Sequence, residues 1–225
     1  MNIAWPSYGL SLKNFDFSKP DKNIVQEKEV VPKIIPSVNS NKQKLLDELK
    51  LEINNIDDIQ FKFCAQNLVF SHGNIDSKVM LIGEAPGEEE DKQGIPFVGR
   101  SGKLLSLFLE TSGFDRSNYY ITNVIPWRPP GNRTPSKEEI EIMKPFVLKH
   151  IEIIQPEIIV TVGATALKTL YGDCVISKLQ GTFLDFGKFK IYPIFHPSYA
   201  LRVPVKKKEL WFSILKLKKT WDALI

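Results

Sequence analysis

Cysteine is nearly absent. The 225-residue chain holds two, Cys64 and Cys174, which make neither a disulfide framework nor a metal-binding pair and so point to a reducing, cytoplasmic setting. Long apolar runs are missing as well, and the first residues lack a basic-then-apolar leader, so neither membrane insertion nor export is expected. There is no internal repeat and no Gly-x-x-x-x-Gly-Lys-Ser/Thr phosphate loop. Excess charge is small: a net +4 with pI near 8.9 is only a mild lean toward polyanions. What remains is an ordinary folded composition, 43% hydrophobic and 25% charged, with room for one large domain and an appendage.

The chain is organised around residues 79–102. An apolar run, Val79 to Ile82, of the kind that forms a strand buried on both faces changes abruptly into a segment with five glycines, two prolines and four consecutive acids, Glu88 to Asp91. Glycine and proline at this density fix a tight path and let a partner approach the backbone closely. The bland alternative is a surface loop with acids for solubility. Loops of this length are uncommon unless they carry function.

Residues 1–40 hold Pro6, Pro20, Pro32 and Pro36 with no sustained periodicity, which predicts a partly flexible extension; Trp5 and Tyr8 are candidates to pin it to the body. Residues 41–225 are expected to form a single domain. A helix is predicted over 41–53. From 78 onward strands and helices alternate: strands at 78–82, 119–124, 157–163 and 190–195, and helices at 103–112, 136–154, 164–171 and 207–224. A turn or small hairpin falls at 178–188. The Ser136-Lys-Glu-Glu139 spacing fits a capping box. This alternation predicts an α/β fold, a three-layer α/β/α sandwich on a four-stranded, mainly parallel sheet.

In a parallel sheet the carboxyl ends of all strands share one rim, where open α/β folds bind ligands. Strand ends place Glu84, Asn123 and His196 there. Each has a plainer reading: His196 as a packed histidine, Asn123 as a turn former, Phe97 as core rather than a ring face for a planar ligand. Arg128, Arg133 and Arg202, with Lys206 to Lys208, are either solvated surface or phosphate contacts. The strand-end positions favour the functional reading.

Four blocks carry a family resemblance: Gly83-Glu-Ala-Pro-Gly-Glu-Glu-Glu-Asp91, Gly94-Ile-Pro-Phe-Val-Gly-Arg-Ser-Gly102, Thr122-Asn123 running into Arg128-Pro-Pro-Gly-Asn-Arg-Thr-Pro135, and His196-Pro-Ser-Tyr-Ala-Leu-Arg202. From about Phe61 to the last helix the chain resembles the family 4 uracil-DNA glycosylases. The resemblance implies a monofunctional enzyme that acts on uracil-containing DNA and leaves an abasic site. It implies that Gly83, Glu84 and Ala85 wall the uracil pocket, Phe97 stacks on the flipped base, Asn123 reads its edge and His196 sits by O2 to stabilise the departing base. It also implies that Leu201 and Arg202 lie in the loop that enters the DNA, and that Glu90 crowds the place of a thymine methyl. A monomer is expected.

Two departures matter. The family typically holds a [4Fe–4S] cluster on four cysteines, and the matching positions here are Phe61, Cys64, Trp127 and Met143. One thiolate cannot hold such a cluster, so none is expected, and the three apolar residues are expected to plug the space. Where the best-known glycosylase branch has a water-activating aspartate, this chain has Ala85. Glu84 is the first candidate to orient water and Asp91 the second. Two rivals remain: a catalytically impaired module that binds uracil or abasic DNA, and a phosphate-transfer enzyme with magnesium on Glu88 to Asp91.

Overall fold

The computed structural model describes residues 42–223. The expected 1–40 extension, with the pinning roles of Trp5 and Tyr8, lies outside the described residues. Six strands, β1 (Ser71–Gly73), β2 (Val79–Gly83), β3 (Tyr120–Asn123), β4 (Ile158–Val162), β5 (Leu184–Phe186) and β6 (Phe189–Ile194), form one sheet in the order β1-β3-β2-β4-β6-β5. The central four are parallel to one another, as expected. The sheet is six-stranded rather than four-stranded, because β1 and β5 add antiparallel edges to β3 and β6. β5 falls within the turn or small hairpin expected at 178–188 and pairs with β6, the strand expected at 190–195.

Eight helices flank the sheet among the described residues: α1 (Lys42–Asn54), α2 (Glu88–Gln93), α3 (Arg100–Thr111), α4 (Lys137–Ile154), α5 (Ala164–Tyr171), α6 (Ile176–Leu179), α7 (Pro197–Arg202) and α8 (Lys206–Asp222). Side chains alternate across the pleat of β2, and each set meets its own helical layer. Met80 and Ile82 pack with Leu46 and Leu49 of α1, Met143 and Val147 of α4 and Leu167 of α5. Val79 and Leu81 pack on the other face with Leu105 and Phe108 of α3, Ala200 of α7 and Leu210 and Ile214 of α8. The result is the three-layer sandwich. The capping box at the start of α4 forms: Ser136 Oγ accepts from the Glu139 amide, and the Glu139 carboxylate accepts from the Ser136 amide at 2.7 Å. No helix among the described residues is long and apolar enough to cross a membrane.

The acidic stretch departs from its expectation as a loop, for Glu88–Gln93 is a helix. Four acids in a first turn face the positive end of the helix dipole, and Gly94, with φ of 70°, closes the turn in the left-handed region.

Candidate active site

Strand order reverses around β2: the chain passes from β2 to β3 on one side, then back across to β4 on the other. At such a switch point the loops leaving the strands diverge and open a crevice. A cleft of about 790 Å³ occupies that place, lined among others by Glu84, Ala85, Glu90, Phe97, Asn123, Arg133, His196 and Arg202. The acid, the amide and the imidazole drawn from separate strands therefore share one opening.

Asn123 ends β3 beside Gly83, the last residue of β2. A Cβ on Gly83 would stand 2.4 Å from Asn123 Oδ1 and 2.5 Å from the tip of the Phe97 ring. Glycine here is what lets the amide and the ring close on the end of β2. Asn123 is 5% exposed, and its Nδ2 is buried with no hydrogen-bond partner. A buried amide N–H left unpaired costs about 1–3 kcal/mol, so a ligand with an acceptor at this point recovers that deficit.

Phe97 adopts a left-handed backbone, φ 58°, a conformation that costs a bulky residue about 1–3 kcal/mol. The surroundings hold it there: a Cβ on Gly102 would stand 2.2 Å from the Phe97 carbonyl, so α3 can begin against this backbone only with glycine at that position. The ring ends 6.1 Å from the His196 imidazole, centroid to centroid.

His196 caps α7. Its Nδ1 accepts from the Ser198 backbone amide at 3.1 Å and meets Ser198 Oγ at 2.8 Å. Burial, with the Arg202 guanidinium second, pushes the imidazole down to about 4. The ring is therefore neutral near pH 7, with Nδ1 as acceptor and the proton on Nε2. Glu84 follows β2, and its Oε2 accepts from Thr165 Oγ1 at 2.5 Å.

The remaining expected site residues divide. Glu90 lines the cleft while its carboxylate accepts from the amides of Gly99, 2.7 Å, and Gly87, 3.1 Å, tying both ends of the α2 segment together. Asp91 does not line the cleft. Its Oδ1 accepts from the amides of Gln66 and Asn67 at 2.9 and 3.1 Å, which makes it a tether for the chain ahead of β1 and corrects its candidacy as a water-orienting group. Glu88 and Glu89 turn outward to Lys92, so the four acids do not converge, and no group of three or more His, Cys, Asp or Glu among the described residues is arranged to hold a metal ion. Arg133 and Arg202 edge the cleft, joined by Lys206. Arg128 and Leu201 do not line it: Arg128 Nε donates to Asn132 Oδ1 at 2.8 Å, and Leu201 sits half-buried on α7. Thr165 is the site residue that sequence reasoning missed; its sole signal is its place two residues beyond Gly163, which follows β4 and caps α5.

Residues 70–223 match the family model described as the Uracil DNA glycosylase superfamily. The chain belongs to that superfamily. Within it, the chain is 49% identical over 139 residues to a type-4 uracil-DNA glycosylase of Thermotoga maritima, covering 60% of this chain and 72% of that one. It is 38% identical to the type-4 enzyme of Saccharolobus solfataricus, over 70% of this chain and 78% of the other. With the Archaeoglobus fulgidus type-4 enzyme the identity is 34%, over 73% and 87%.

The cluster that the resemblance implies can be tested against the four matching side chains. Phe61, Trp127 and Met143 are buried in one apolar cluster, whereas Cys64 is exposed and free. Aromatic rings and a thioether offer no set of thiolates, so the donors present do not fit a [4Fe–4S] cluster. Cations cover the plug instead: Arg133 lies 5.2 Å from the Phe61 ring and Lys62 5.9 Å from that of Trp127.

Proposed function

We propose that the chain is a monofunctional uracil-DNA glycosylase that flips uracil from DNA, hydrolyses its N-glycosidic bond and leaves an abasic site. The observation that carries this reading is Asn123, whose buried Nδ2 has no partner among the described residues, lining one cleft with Phe97 and His196. A carboxamide donates to uracil O4 and accepts from N3–H, while cytosine presents the reverse order and would leave buried groups unpaired. Phe97 stacks on the flipped base, with Gly83 and Ala85 beneath it, and Glu90 crowds the position of a thymine methyl.

Cleavage sends the bonding pair of C1′–N1 onto the base, so the sugar becomes oxocarbenium-like and uracil departs as an anion. The Nε2–H of neutral His196 donates to O2 and stabilises that anion; one such donor in a dry site typically contributes about 3–4 kcal/mol. Water, oriented by the Glu84 carboxylate, then bonds to C1′ and releases its proton to solvent, which balances the charge of the uracil anion. Arg133, Arg202 and Lys206 contact phosphates along the rim. Arg128 and Leu201 act outside the pocket, on the DNA backbone and the vacated stack. The protein works as a cytoplasmic monomer, without an iron–sulfur cluster and with an apolar plug in its place.

The test is release of free uracil from a uracil-containing duplex in excess EDTA, followed by alkaline scission at the abasic site. Retarded DNA without base release would instead identify a binding module.

A further inference from the structure

We propose that Thr165 is the positioning residue for the water-orienting carboxylate: its hydroxyl clamps Oε2 of Glu84 across the switch point of the sheet, leaving Oε1 to hold the attacking water. The proposal rests on the reading of Glu84 given above. β2 and β4 are direct parallel neighbours, with Ile82 opposite Thr161, so the residues just beyond their ends are forced together although 81 positions separate them in the chain. Glu84 stands at one of these ends. Thr165 stands at the other, in the first turn of α5, and both side chains line the cleft.

The contact is selective. Thr165 Oγ1 donates to Oε2 at 2.5 Å, the only side-chain hydrogen bond that Glu84 makes among the described residues. Among the described residues Oε1 has no side-chain hydrogen-bond partner, in a residue that lines the opening. A carboxylate on a flexible stem would otherwise sample several rotamers, and water held by it would be directed at C1′ only part of the time. Threonine suits the clamp because its branched Cβ restricts χ1. Its backbone is fixed in turn, for Thr169 Oγ1 donates to the Thr165 carbonyl at 2.9 Å. The hydroxyl supplies no proton to the reaction; it sets where the carboxylate points.

The experiment is a double-mutant cycle on the full chain, reading single-turnover rates of uracil release and the dissociation constant for uracil-containing DNA. Thr165→Val keeps the shape and removes the donor. It should slow release about tenfold, the worth of one hydrogen bond to a charged group, with DNA affinity unchanged. Thr165→Ser, which keeps the donor and loses only the branch, should recover most of the rate. In a Glu84→Ala background Thr165→Val should cause no further loss. A Thr165→Val rate equal to wild type, the same loss in both backgrounds, or failure of serine to rescue would each overturn the clamp while leaving the role of Glu84 intact. A Glu84→Ala rate equal to wild type would overturn the reading of Glu84, and the clamp with it.

Discussion

The backbone amide of Ser198 donates to Nδ1 of His196 at 3.1 Å. An amide N–H only donates, so Nδ1 must accept and the imidazole proton resides on Nε2. Because His196 caps α7, the fold and not the substrate selects the tautomer. The Nε2–H donor invoked in the proposed reaction is therefore set by the protein alone.

A consequence for pH follows. With His196 held down to about 4 by burial and by Arg202, the donor stays neutral through the range where a free histidine titrates, near 6.5. The profile of kcat/KM should show no histidine inflection between about pH 5.5 and 7.5. An acid limb centred near 6.5 that disappears in His196→Gln would contradict the neutral-donor account.

Stability should depend on pH through a different histidine. His150 is fully buried against Tyr120, whose hydroxyl lies 2.8 Å from Nε2, and burial pushes it down to about 3. The folded state thus binds fewer protons than the unfolded one below the ordinary value. The contribution of His150 is complete above about 6.5 and is lost as pH falls from there toward 3. Melting temperature should fall with acidification over that window, and His150→Asn should flatten the slope without abolishing it, since His196 shifts in the same direction. A slope unchanged in the variant would refute the assignment.

Two glycines should be intolerant for separate reasons. Gly83→Ala places a methyl 2.4 Å from Asn123 Oδ1, so it should cut uracil release by at least about 100-fold with a near-normal melting temperature. Gly102→Ala drives a methyl into the Phe97 carbonyl at 2.2 Å, so it should lower stability by about 1–3 kcal/mol. Wild-type behaviour in either would mean that the close approaches are not required.

The cations at the rim should be separable from chemistry. Arg202→Ala and Lys206→Ala should each lower the slope of log affinity against log salt by about 1, in binding isotherms with uracil-containing duplex. A slope that does not move would remove these side chains from the DNA contact.

The proposed absence of an iron–sulfur cluster has its own check. Protein purified without air should contain no iron, and Cys64→Ser should change stability by no more than about 0.5 kcal/mol, since that thiol is exposed and free. Stoichiometric iron, or collapse of the serine variant, would show that a cluster is bound.

Much of this was legible in the chain because buried parallel strands write themselves as continuous apolar runs, as Val79 to Ile82 does. Three-residue edges such as Ser71–Gly73 and Leu184–Phe186 are too short to show alternation, which is why β1 goes unseen and β5 reads only as part of a turn or small hairpin. The acids of α2 read as loop since acidic runs usually are solvated; here the first-turn dipole and backbone amides absorb them. That Glu84, Asn123 and His196 share one opening was legible from the strand ends. Thr165 was not, because its partner is set by sheet order rather than by any local pattern.

The most direct test compares single-turnover uracil release from a U:G duplex, in excess EDTA, for wild type, Asn123→Ala and His196→Ala. The account expects rapid release by the wild type and losses of about 100-fold or more in each variant. Either variant within a few-fold of wild type, or no release by the wild type itself, would contradict it.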